Sequence, residues 1–199
     1  DVFPALLDDG EKLVGAVLDG YWEDVGTLPA YVRAHKDILD GRVQVGIPGF
    51  EVSDGVFIAE GAEVHPDAVL TGPAVVGDNC FVDAGARLGE YTVLGQGVRV
   101  RSGAELERTV VHENAYLGES VKLRGTVVGR AADLRRNARC EEGVVLGDEV
   151  FVGEDAVIST DVKVYPFKTV EGGAVVNTSL IWESRGARSL FGRGGVTGL

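Results

Sequence analysis

Few side chains in this sequence are suited to chemistry, and their spacing limits what they can do. Three histidines, His35, His65 and His112, are the groups that titrate near neutral pH and could serve as a general base or bind zinc. They are separated by 30 and 47 residues, so none forms the close pair that zinc sites use. Cys80 and Cys140 stand 60 positions apart, make no C-x-x-C motif, and are read as free thiols. Six cations, Lys122, Arg124, Arg130, Arg135, Arg136 and Arg139, crowd into one segment of a chain whose net charge is −12. They could hold a phosphate, an acidic partner or a neighbouring domain, or form a solvated ladder. No aromatic residue is interleaved with them for base stacking, and the acidic field repels polyanions, so a nucleic-acid role is set aside.

The elements that position these residues are written in an internal repeat. Aliphatic residues recur at every sixth position from Ile58 to Leu106. After a five-residue step they resume from Val111 to Leu123, and after a second such step they run from Val128 to Val164, with Cys140 taking one place. Two residues before each lies a small or β-branched residue, such as Ala62, Ala86, Ala115 or Ala138. Six residues turn a helix by about 600°, which smears the apolar set around its axis. The period suits very short strands joined by tight corners. Three strands per turn give an 18-residue coil, about six coils in all, stacked at about 4.8 Å into a prism of roughly 30 Å. The five-residue steps read as corners shortened by one residue. Gly77, Gly95, Gly129 and Gly147 each follow an aliphatic position on one face, where a corner needs positive φ or close chain approach. Arg87, Glu105, Lys122 and Arg139 should stack outward on another face, and both cysteines should point inward as small hydrophobes.

This repeat resembles the left-handed parallel β-helix of the hexapeptide-repeat families, over about residues 56–165, with 166–182 as an end cap. Many members of those families are acyltransferases that use a corner histidine as base. His112 is the one histidine here at such a corner, and its other reading is a solvated corner residue.

Residues 1–50 lack the period. DVFPALLDDG reads as a short helix, KLVGAVL and GYW as strands, and Thr27 as the N-cap of a helix whose apolar face is Leu28, Tyr31, Val32, Ile38 and Leu39. His35 falls on that face and is read as packed; Gly41 stops the helix. DVFPALL and GYWEDVGT followed by a helix and a hexapeptide β-helix resemble the C-terminal end of sugar-1-phosphate nucleotidyltransferases, most closely the mannose-1-phosphate guanylyltransferase group. That resemblance implies a nucleoside triphosphate, with GTP first, and mannose 1-phosphate as substrates, and Mg²⁺ as cofactor. It gives Asp24, the aspartate of the D-V-G turn, a role in holding the metal. Asp24 can also be read as a turn carboxylate near the positive end of the following helix. Glu23 has no counterpart in the motif and is expected to be solvated.

The family's glycine-rich nucleotide loop, G-x-G-x-R-L with a later P-K, has no match here, so these residues alone are expected to be inactive. The tail SLFGRGGVTGL resembles the opening of phosphohexomutases, L-F-G-T-S-G-I-R-G, with Arg193, Gly194 and Thr197 departing from the pattern. The expected organisation is a nucleotidyltransferase remnant of mixed α/β character over 1–50, a mainly β β-helix domain over 51–182, and a linker into a mutase-like domain over 183–199. The sequence holds no methionine, and it is read as cut from a longer protein. No run of about 18 apolar residues is present, and no secretion signal opens the sequence, so a cytoplasmic homo-oligomer without membrane contact is expected. A non-catalytic regulatory or scaffold relative and a β-helix acyltransferase stand as the alternatives.

Overall fold

The computed structural model describes residues 2–181 and two short strands, Phe191–Gly192 and Gly195–Val196. The rest of the mutase-like tail lies outside the described residues. The six-residue period resolves into a parallel β-helix with three faces, two of seven strands and one of eight. Coils begin at Val56, Ala74, Thr92, Val110, Val127, Val145 and Lys163, and strand partners are parallel neighbours one coil apart. Strand amides donate to the next coil, as in Phe81 N to Val98 O at 2.9 Å and Val110 N to Thr126 O at 3.0 Å, and corner amides to the preceding one, as in Asn79 N to Glu60 O at 3.0 Å. This accounts for the buried backbone groups that such short strands could not satisfy alone.

The inward positions alternate large and small as the repeat predicts. Leu88, Leu94, Leu117, Leu134 and Ile158 are fully buried beside Ala86, Ala104, Ala115, Ala138 and Ala156. The shortened corners fall at one edge of successive coils, after Leu106 and Leu123. The buried Thr109 and Thr126 hydroxyls donate there to Glu107 O and Arg124 O at 3.0 and 3.1 Å, so neither polar group is orphaned.

Three expectations change. The coil count is seven, because Val170 and Val176 keep the period inside the segment read as an end cap and Leu180 bridges to Val164. The corner glycines Gly77, Gly95, Gly129 and Gly147 do not take positive φ; they are sites of close approach. From Asn79 to Gly173 positive φ falls instead at the third residue after the aliphatic position, or at the second, Arg108 and Gly125, where the corner is shortened, and eleven of these residues are other than glycine. Many are Asn or Asp, whose short polar side chains tolerate that region. The third change is at the N-terminus. Helix α1 (Val2–Asp8) forms, but KLVGAVL and GYW form no strands, and Val14, Val17 and Leu18 are exposed. A strand needs a ladder partner, and none of the described strands lies beside these segments. The first coil is closed by β1 (Phe50–Ser53) pairing antiparallel with β2 (Val56–Ile58).

Candidate functional site

Thr27 caps helix α2 (Leu28–Leu39) as the sequence predicts, its hydroxyl accepting from Ala30 N at 3.3 Å, with Pro29 in the first turn. The helix lies along the first face of the β-helix, whose outward residues Val75, Val93, Val110, Val127 and Val145 form a column one coil apart. Pro29, Val32 and Leu28 meet the later coils and Ile38 and Leu39 the earlier ones. Tyr91 Oη donates to Asp40 Oδ1 at 2.9 Å, and Lys36 Nζ sits 4.9 Å from the Tyr91 ring centroid, fastening the C-terminal end.

His112 is fixed in this contact. Its Nε2 lies 3.0 Å from Tyr31 Oη, and the two rings stack with centroids 6.0 Å apart. Glu113 follows, paired with Arg130 at 3.2 Å; its backbone amide first, then that guanidinium, hold the carboxyl below its ordinary pKa. Burial pushes the Tyr31 phenol up. His35 packs on Tyr31 at a centroid distance of 4.4 Å with Nδ1 at 3.0 Å from the Tyr31 carbonyl. His65 is a turn residue whose Nδ1 accepts from Asp67 N. His35 and His112 thus meet on Tyr31, while His65 stands apart from both.

The segment carrying Asp24 runs beside α2. Tyr21 Oη donates to Asp37 Oδ2 at 2.9 Å, and Glu23 Oε1 meets Arg33 Nη2 at 2.8 Å. Glu23 is thus an ion-pair partner rather than the solvated residue expected: the chain must pass along the helix to reach its N-cap, which brings the carboxylate to Arg33. Asp24 is exposed at the turn, with Oδ1 directed toward Gly26. Among the described residues no group of three metal-ligating side chains surrounds it. Magnesium is commonly held by one or two carboxylates, with phosphates and water completing the shell, so a lone accessible aspartate fits as one ligand of such an ion.

The six-residue basic cluster does not form one patch. Lys122, Arg124 and Arg139 line the third face, Arg130 sits at a corner with Glu113, Arg135 reaches across the second face, and Arg136 pairs with Glu154. The triangular cross-section separates residues that are adjacent in sequence. The ladder Arg87, Glu105, Lys122, Arg139 is in register, and Lys122 Nζ bridges both Glu105 oxygens at 3.2 Å. These residues line an open groove of about 560 Å³ whose walls alternate in sign.

Both thiols point inward, and Cys80 Sγ lies 3.0 Å from Gly95 O. Burial pushes the Cys140 thiol up from 9.0 to about 12. Neither cysteine is expected to react with a disulfide reagent at pH 8 while the chain is folded, and both should react in denaturant; a fast-reacting thiol in the native protein would contradict this burial. The unfolded thiol ionises near 9.0 and the folded one near 12, so Cys140 stabilises the fold fully below 9.0 and loses that contribution as pH rises toward 12.

A family model described as GMPPB C-terminal domain matches residues 70–181, and one described as nucleotidyl transferase matches residues 1–41. Among curated relatives, the glucose-1-phosphate adenylyltransferase of Desulfitobacterium hafniense strain Y51 is 30% identical over 182 residues, covering 80% of this chain and 42% of that protein. The glucose-1-phosphate adenylyltransferase of Bacillus cytotoxicus is 31% identical, covering 65% of this chain and 34% of its own length. The chain thus spans less than half the length of these relatives. Among solved structures, the acetyltransferase domain of PglB from Neisseria gonorrhoeae FA1090 superposes with a TM-score of 0.51 at 24% identity, over 71% of this chain and 63% of that one, which is a likeness of fold. With the β-helix matched over more than half of the chain and a nucleotidyl transferase segment joined to it, the chain belongs to the GMPPB C-terminal domain family and so to the sugar-1-phosphate nucleotidyltransferases.

Proposed function

We propose that this chain is the C-terminal part of an enzyme that transfers GMP from GTP to mannose 1-phosphate with release of pyrophosphate, its β-helix serving assembly and regulation in the cytoplasm. The observation that carries the reading is the GMPPB C-terminal match over residues 70–181 of the β-helix, preceded in the same chain by a nucleotidyl transferase match over residues 1–41 that includes the whole of the docked helix α2. Asp24 is the residue of this chain that would hold Mg²⁺. The ion, when bound, neutralises phosphate charge while a sugar phosphate oxygen attacks the α-phosphate and pyrophosphate leaves. The rest of the chain positions that carboxylate: the Tyr21–Asp37 and Glu23–Arg33 contacts bind the turn to α2, and α2 is fixed to the valine column.

A second reading, adenylyl transfer to glucose 1-phosphate, is favoured by the names of the curated relatives. An acyltransferase reading has less support, because the corner histidine it requires, His112, is engaged by Tyr31 under α2. The test is pyrophosphate release with Mg²⁺ across a panel of nucleoside triphosphates and sugar 1-phosphates, using the natural full-length protein and these 199 residues in parallel. Activity in the full-length protein alone, strongest with GTP and mannose 1-phosphate, is expected. A preference for ATP and glucose 1-phosphate would install the second reading, and silence from a folded full-length protein would leave a regulatory or scaffold subunit.

A further inference from the structure

The three faces of the prism are not equivalent. The first is covered by α2. The third carries Val69, Arg87, Glu105, Lys122, Arg139, Val157 and Val175 in register, and reversing that order about its centre sets Lys122 on Lys122 at the symmetry axis. The second carries an outward column, each residue one coil from the next: Phe81, Arg99, Tyr116, Asp133 and Phe151. None of these side chains is buried, and Phe81 is 37% exposed.

We propose that this face is a two-fold interface between two copies of the chain, with β-helix axes antiparallel and the symmetry axis passing through Tyr116. The proposal rests on the reading that the β-helix serves assembly, and adds which face does so and in which orientation. The column reads aromatic, cation, aromatic, anion, aromatic. Reversed upon itself about Tyr116, it places Phe81 against Phe151 of the other copy, Arg99 against Asp133, and Tyr116 against its own equivalent. Each half of the contact therefore combines an aromatic pair with an opposite-charge pair, the composition that anchors protein interfaces.

The other face-to-face two-fold, with axes parallel, would set Arg99 on Arg99 and Asp133 on Asp133. That like-charge juxtaposition is what excludes it. Two corner arginines, Arg101 and Arg135, also meet in the antiparallel arrangement, but each already has its own carboxylate, Asp83 at 3.1 Å and Asp133 at 2.7 Å. The side chains are held ready. Arg99 lies over the Phe81 ring at 5.6 Å, and Arg135 lies over both the Tyr116 and Phe151 rings at 5.7 and 5.5 Å. Asp133 turns Oδ2, shared with Arg135 at 2.7 Å, toward the face, while its Oδ1 is buried, so Oδ2 is the oxygen that would meet Arg99 of the other copy.

Seven coils at about 4.8 Å, on a side roughly 15 Å wide, give a pair of faces about 1,000 Å² of contact, the lower bound for a specific interface. A micromolar dimer is therefore expected, not a permanent one. Sedimentation equilibrium of the 199-residue chain from about 1 to 200 μM should show a monomer–dimer equilibrium reaching twice 21.0 kDa. Arg99→Asp should weaken association at least tenfold, Tyr116→Lys should do the same by placing like charges on the axis, and Arg99→Asp combined with Asp133→Arg should restore it. Circular dichroism keeps folding failures apart from lost association, and Tyr116→Lys, at a half-exposed site, tests the face without Asp133. An oligomer indifferent to Arg99→Asp and Tyr116→Lys overturns this interface while leaving assembly standing. A monomer throughout overturns both.

Discussion

Alanine at Gly129 is expected to destabilise the β-helix by about 3 kcal/mol or more, whereas alanine at Gly95, in the same corner column, should cost about 1 kcal/mol. The two differ in what a Cβ would strike. At Gly129 it would lie 2.4 Å from the Gly147 carbonyl carbon and 2.6 Å from Asp148 N, main-chain atoms of the next coil that no rotamer change can move. At Gly95 the nearest atoms are at 3.0–3.1 Å, within reach of a small shift. Gly147 stands under the same constraint, 2.5 Å from Pro166 N, so the fifth, sixth and seventh coils stack through bare backbone at this corner. Gly103→Ala is the control for backbone strain: its φ is +67° and its nearest neighbour is the movable Ser120 Oγ at 3.3 Å, giving a cost of about 1 kcal/mol. For a chain of this size 3 kcal/mol lowers Tm by roughly 6–12 °C. Because each coil touches only its neighbours, amide exchange should accelerate first in the fifth and sixth coils. Equal melting temperatures for Gly129→Ala and Gly95→Ala would show that corner spacing does not limit stability.

The β-helix was legible because its determinant is one-dimensional. Residues such as Leu117 and Leu134 face inward for the same reason at every coil, and a fixed period reports that directly. The corners were less legible. Positive φ at Tyr91, Arg108 and Phe167 has no signature in residue type; it is imposed by the need to turn within two residues while the coil above and below holds the chain. The seventh coil lies in PFKTVEGGAVVNTS, the segment read as an end cap, although Val170 and Val176 keep the period there. At the N-terminus, KLVGAVL has the composition of a strand, but composition supplies no ladder partner, and the segment stays without regular structure and exposed.

The candidate site divides in the same way. Thr27 as an N-cap and His35 as a packed residue follow from local spacing and are found so. The Tyr31–His112 contact joins residues 81 positions apart and depends on α2 lying along one face. A signal for that docking was present: the residue before the aliphatic position is valine on five successive coils of the first face, and charged or aromatic at many equivalent places on the others. An outward apolar column on a parallel sheet asks to be covered, and the amphipathic α2 is the element that covers it. The basic cluster misled because proximity in sequence within a coil places residues on different faces, whereas proximity in space comes at intervals of 17 or 18.

Asp24→Asn in the full-length protein is expected to lower Mg²⁺-dependent pyrophosphate release on the order of 100-fold or more, with a higher Mg²⁺ concentration needed for half-maximal rate. The substitution keeps the shape of the side chain and removes the charge that a hard cation requires. Asp24 is exposed at a turn just ahead of an ordered helix, so the change disturbs no core contact. The competing account, a carboxylate interacting with the α2 dipole, is worth about 0.3–1 kcal/mol and predicts a Tm lowered by roughly 1–4 °C with turnover and Mg²⁺ dependence untouched. Glu23→Gln separates the two effects: it breaks the Arg33 pair beside the same turn, so it should change stability slightly and leave the Mg²⁺ requirement where it was. If Asp24→Asn shows the wild-type Mg²⁺ dependence, the metal role passes to another residue and Asp24 becomes part of the helix start.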